Sequence, residues 1–80
     1  MDVNQATIER IRELCTERGI TPNALSYISG VSQSTIKSIL NNESKSPKVA
    51  TIKKLCDGFD ITLVEFFNTD AFNNLEQEIK

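Results

Sequence analysis

The 80-residue sequence contains no histidine, only three glycines and two cysteines, and no apolar run near the roughly 20 residues that cross a bilayer. Without histidine, the commonest general base and metal ligand is missing. No glycine-rich stretch could cradle a phosphate, and the carboxylates scatter over faces that solvent explains. The composition therefore points away from an enzyme and from any cofactor or metal. Cys15 and Cys56 form no C-x-x-C pair, and each falls on the apolar side of a helical pattern. They read as small buried hydrophobes, with a disulfide or redox role as the minor alternative. The N-terminus shows neither the basic segment nor the apolar segment of a signal peptide, so a reduced, cytoplasmic protein is expected.

What is present is unevenly charged. The net charge is −2, which argues mildly against a nucleic-acid partner until its distribution is considered. Residues 1–20 carry three arginines against Asp2, Glu9, Glu13 and Glu17, a balance of −1. Residues 21–56 carry Lys37, Lys45, Lys48, Lys53 and Lys54 against Glu43, a balance of +4. Residues 57–80 hold Lys80 against six acids, a balance of −5. A fold can turn the basic middle toward an anion and keep the acids elsewhere.

Helical periodicity recurs along the chain, with no strand alternation, repeat or long linker. Ile8, Ile11, Leu14 and Cys15 mark a first helix over about residues 5–18, stopped by Gly19 with Ile20 folding back. Thr21 then Pro22 reads as N-cap and first helical residue of a second helix, about 22–29, with Ala24, Leu25 and Ile28 facing inward. Gly30 breaks it where φ > 0 is needed, and Val31 plugs the gap between helices. Ser32 caps a third helix, about 33–41, whose buried side is Ile36, Ile39 and Leu40. After the polar loop "NNESKSPK", Val49, Ile52, Leu55, Cys56 and Phe59 give a fourth helix, about 48–58, with Gly58 or Asp60 as its left-handed end. "TLVE" at 62–65 has capping-box spacing and opens a fifth helix holding Leu63, Val64, Phe66 and Phe67. Phe72, Leu75 and Ile79 mark a sixth helical stretch. The expectation is a compact all-α bundle.

Helices two and three are joined by a few residues with Gly at the bend, the sequence form of a helix-turn-helix over 21–41. Residues 19–67 resemble the DNA-binding domain of the phage-repressor (Xre/Cro-like) family: "GIT" enters helix two, "GVSQSTI" runs through the turn, Pro47 precedes helix four, and "FDITLVEFF" is similar to the family's fifth helix. The resemblance implies a five-helix lambda-repressor-like bundle over 1–69, followed by an amphipathic tail over 70–80. It also implies that the third helix enters the major groove of double-stranded DNA. With Ile36, Ile39 and Leu40 inside, Gln33, Ser34, Lys37 and Ser38 fall outside, where a groove-bound helix reads base edges. These residue types are common on any solvated helix, so the flanking pattern carries the assignment. By position, the resemblance implies phosphate contacts from Thr21, Thr35, Asn41, Lys45 and Lys48.

The sequence departs from the family pattern in places. Pro22 stands where members often have a phosphate-binding glutamine. Ser26 replaces a usual alanine and needs a carbonyl one turn back. Asn42 takes a frequent glycine position, and Asn tolerates the left-handed region best among the others. Tyr27 is expected outside, under the loop or near the DNA backbone. The resemblance implies a transcriptional regulator, more readily a repressor than an activator. It would act as a homodimer on a pseudo-palindromic operator. The apolar stripe of Phe72, Leu75 and Ile79 must bury itself either back on its own domain or against a second copy; the dimer would then use helices five and six, through Phe66, Phe67, Phe72, Leu75 and Ile79, or form only on DNA. The overall acidity and the tail stripe motivate a second reading, a protein-interaction module of the same fold such as the antitoxin-like partner of a toxin.

Overall fold

The computed structural model describes residues 1–43 and 46–79. They form six helices: α1 (Val3–Arg18), α2 (Pro22–Ser29), α3 (Gln33–Leu40), α4 (Val49–Phe59), α5 (Leu63–Phe67) and α6 (Asp70–Asn73). No strand occurs among the described residues.

Most helix ends are fixed by local chemistry. The α1 helix starts earlier than its apolar spacing indicates, because Asp2 and Gln5 form a capping box. The Asp2 carboxylate accepts from the Gln5 N–H (2.8 Å), and the Gln5 side chain accepts from the Asp2 N–H (3.0 Å). At the other end Gly19 sits at φ 61°, and the Ile20 N–H reaches Cys15 O at 2.9 Å. Thr21, Ser32 and Thr62 cap α2, α3 and α5 by accepting from the N–H three residues on; each such cap stabilises its helix by about 1 kcal/mol. Gly30 lies at φ 75°, Asn42 at φ 56° and Asp60 at φ 60°. Asp60, and not Gly58, ends α4.

The core gathers one side of α1, α3, α4 and α5 around Leu25 and Val31. Ile11, Leu25, Leu55, Cys56, Phe59 and Phe66 are almost wholly enclosed, and burying a side chain of the Leu, Ile or Phe size contributes roughly 1.5–3 kcal/mol. Both cysteines are buried free thiols. Burial pushes both thiols up, a nearby Asp57 adding to the effect at Cys56.

Some positions expected inside are not. On α2 only Leu25 is buried, while Ala24 is exposed and Ile28 is half exposed. The contact line with α4 runs through Leu25 and Ser29 instead, because Gly58 lets α4 approach; a Cβ there would meet Ser29 Cβ at 3.0 Å. Val49, in the first turn of α4, and Val64 on α5 also face solvent.

The C-terminal stripe does not form a full helix. The α6 helix has only four residues, Thr69 makes no side-chain cap, and two asparagines end it, residues that favour caps and turns over helix interiors. Phe72 still docks, with its ring 4.9 Å from Phe67 and 6.0 Å from Phe66 between centroids. Ile79 is left exposed.

Candidate nucleic-acid interface

The α3 helix is amphipathic in the expected sense. Ile36 and Ile39 are buried, Leu40 is half-buried, and Gln33, Ser34, Thr35 and Lys37 are exposed while Ser38 is half-buried. Its first turn is internally bonded. Ser32 Oγ accepts from the Thr35 N–H (3.2 Å), donates to Thr35 Oγ1 (2.8 Å), and lies 3.2 Å from Ser34 Oγ. Gln33 and Lys37 make no such bond among the described residues and are exposed.

An open cleft runs along each side of α3. One, of about 590 Å³, is bordered by Arg12, Pro22, Asn23, Gln33, Ser34, Lys37 and Asn41. The other, of about 430 Å³, is bordered by Ser34, Thr35, Ser38, Ser46, Pro47, Lys48 and Thr51. The four expected base-reading residues are thus divided: Gln33 and Lys37 face the first cleft, Ser38 the second, and Ser34 both. Of the expected phosphate contacts, Asn41 joins the first cleft, and Thr35 and Lys48 the second. Thr21 opens on neither; it borders a third cleft with Arg12, Cys15, Ile20 and Leu40, and its hydroxyl already caps α2 (3.1 Å from the Ala24 N–H). Lys45 lies outside the described residues.

No carboxylate lines either cleft beside α3 among the described residues, although the protein has 11 acidic side chains and a net charge of −2. Lys53 pairs with Asp57 on α4, away from both clefts. Ser26 satisfies its hydroxyl on Asn23 O at 2.7 Å. Tyr27, 82% exposed, borders neither cleft.

Two arginines matter that the sequence pattern did not single out. Arg10 closes the end of α5, with Nε donating to Phe66 O and Nη2 to Glu65 O, both at 2.8 Å, and it also pairs with Glu13. Arg12 reaches from α1 to the last residue of α3, its Nη2 3.3 Å from Leu40 O. Both partners are distant along the chain, so no local spacing announces them. Phe66, the buried residue of α5, is fully enclosed; it is core and is unavailable to a second subunit, contrary to the expectation that it joins a dimer contact.

A short helix held by its aliphatic side, bent tightly from the helix before it and flanked by acid-free clefts, is the framework of a helix-turn-helix DNA-binding domain. The Cro/C1-type HTH DNA-binding domain family matches residues 10–71, and the chain belongs to that family. Over 47 residues it is 47% identical to the uncharacterized HTH-type transcriptional regulator RghRB of Bacillus subtilis (strain 168), covering 59% of this chain and 34% of that protein. Over 53 residues it is 45% identical to the HTH-type transcriptional repressor RghR of the same strain, covering 66% of this chain and 39% of that one. The matched part thus spans little more than a third of these relatives. Among solved structures, the crystal structure of the prophage Lp1 protein 11 superposes with a TM-score of 0.82 at 29% identity, over 94% of this chain and 100% of that one.

Proposed function

We propose that the protein is a sequence-specific DNA-binding transcriptional regulator that acts as a repressor by occupying its operator. The observation that carries this reading is the free outer face of α3: Gln33 and Lys37 stand exposed opposite the buried Ile36 and Ile39, and no carboxylate borders the clefts around them. In the major groove Gln33 can bond adenine N6 and N7 together, and Lys37 can donate to guanine O6 and N7. Ser34 and Ser38 each exchange one bond with a base edge. Thr35 and Lys48 hold the backbone on one side of α3, Asn41 holds it on the other, and Thr21 and Lys45 complete the phosphate contacts. The 45% identical relative RghR carries the name of a transcriptional repressor, which supports the direction of regulation.

The working unit in this reading is a homodimer on a two-fold site, with reading helices roughly 34 Å apart so that both enter one side of the duplex. Val64, Phe67 and Ile79 are exposed apolar side chains available for such pairing, while Phe72 and Leu75 are half-buried.

Selection of bound duplexes from a random library tests the proposal. The expected result is an enriched two-fold-symmetric site whose halves lie about one helical turn apart. Recovery of no consensus, with binding that ignores sequence, would overturn base reading. An enriched but asymmetric single site would overturn the dimer while leaving the reader intact.

A further inference from the structure

We propose that Arg12, which lies outside the helix-turn-helix, holds a backbone phosphate of the bound duplex at the junction of α1, α2 and α3. This rests on the DNA-binding reading above. The α1 helix carries three arginines, and they are placed differently. Arg10 has a side chain only 14% exposed and is engaged by two α5 carbonyls and Glu13. Arg18 borders none of the three clefts around α2 and α3. Arg12 is exposed, borders both the cleft along α3 and the one beside Thr21, and makes no ion pair among the described residues. Its guanidinium has five N–H donors, of which Leu40 O takes one.

Two features of the surroundings favour a guanidinium there. Leu40 ends α3, and a helix C-terminus carries a partial negative charge of about half a unit, which repels a phosphate lying along that end. Arg12 sits on the carbonyl that presents this charge. On the other wall, α2 begins with Pro22, which offers neither a backbone N–H nor a polar side chain. Along the cleft beside α3, donors on that wall come from Arg12 and Asn23, with the Thr21 hydroxyl in the adjoining cleft. Arg12 therefore cancels the helix-end repulsion and supplies the positive charge that a phosphodiester needs, with Leu40 O orienting the guanidinium beforehand.

The test measures affinity for a labelled random-sequence duplex over a salt series, for the wild type, R12Q, R12K and R18Q, with melting recorded for each. R12Q is expected to flatten the slope of log K against log salt by about 0.9, the value of one lost phosphate contact. Affinity for selected and random duplexes should fall by the same factor. R12K is expected to keep the wild-type slope, and R18Q, which removes the same charge away from the clefts, likewise. An R12Q slope equal to wild type, with or without a drop in melting temperature, overturns the assignment and leaves Arg12 a helix brace only. A change in which duplexes are preferred also overturns it, because Arg12 then touches bases. If the wild type itself binds no duplex at low salt, the DNA-binding reading fails, an outcome distinct from an unchanged R12Q slope in a wild type that binds.

Discussion

Gln33 is the residue on which base discrimination turns in the proposed complex. It is exposed at the start of α3 and belongs to no internal hydrogen bond described for that turn. Gln33→Ala is expected to leave melting unchanged and to relax preference at a single base position by roughly 1–3 kcal/mol. Competition between the selected site and its single-base variants measures this. An equal loss for every duplex would place Gln33 on the backbone instead. The caps Thr21, Ser32 and Thr62 were legible from sequence because each partner lies three residues away. Arg10 and Arg12 were not, since they bond across 56 and 28 residues, and only the packed chain brings those carbonyls near.

At the scale of helices, the α2–α4 contact depends on an absent side chain. A Cβ on Gly58 would lie 3.0 Å from Ser29 Cβ and 3.1 Å from Ser29 Cα, and backbone cannot swing aside as a side-chain tip can. Gly58→Ala gains up to about 1 kcal/mol in helix propensity, yet overpacking costs typically 1–3 kcal/mol. A net fall in melting temperature is expected, and a rise would show that the two helices separate freely. Gly30→Ala loses stability for a different reason: nothing crowds its Cβ, and the cost is the left-handed backbone at φ 75°.

The α5 helix carries the pH-dependent element. The Thr62 backbone N–H, with its hydroxyl, holds the Glu65 carboxyl below its ordinary range. A carboxylate lowered on folding stabilises the protein above its unfolded-state value and loses that contribution as pH falls through the folded one. Glu65→Gln is therefore expected to flatten the acid side of the stability profile, seen as melting temperature against pH. An unchanged acid limb would show that the capping bond does not couple to protonation.

Over the whole molecule, sequence periodicity located four helices within a residue or two at each end and the start of the fifth, because apolar spacing, caps and turn residues agreed there. It overextended the sixth. Phe72, Leu75 and Ile79 have helical spacing, but "NN" ends the helix after one turn, and Phe72 finds its partners in Phe66 and Phe67 regardless. The charge imbalance along the chain proved more informative than its total. The basic middle segment became the region of α2 to α4, and the acids stayed out of both clefts beside α3. A net-acidic protein can therefore present a locally attractive surface to a polyanion, and its acidic remainder disfavours approach in other orientations.

The tethered hydroxyls of Ser32, Ser34 and Thr35 carry a last consequence. Their rotors are settled when the chain folds, so docking freezes little additional motion at that tip. Gln33 and Lys37 are exposed and untethered by any such bond among the described residues, so in the proposed complex they surrender rotameric freedom on contact. In the proposed complex the same few residues would thereby combine a stiff locator with two adjustable fingers, so that near-matches to a preferred site would lose affinity gradually rather than abruptly.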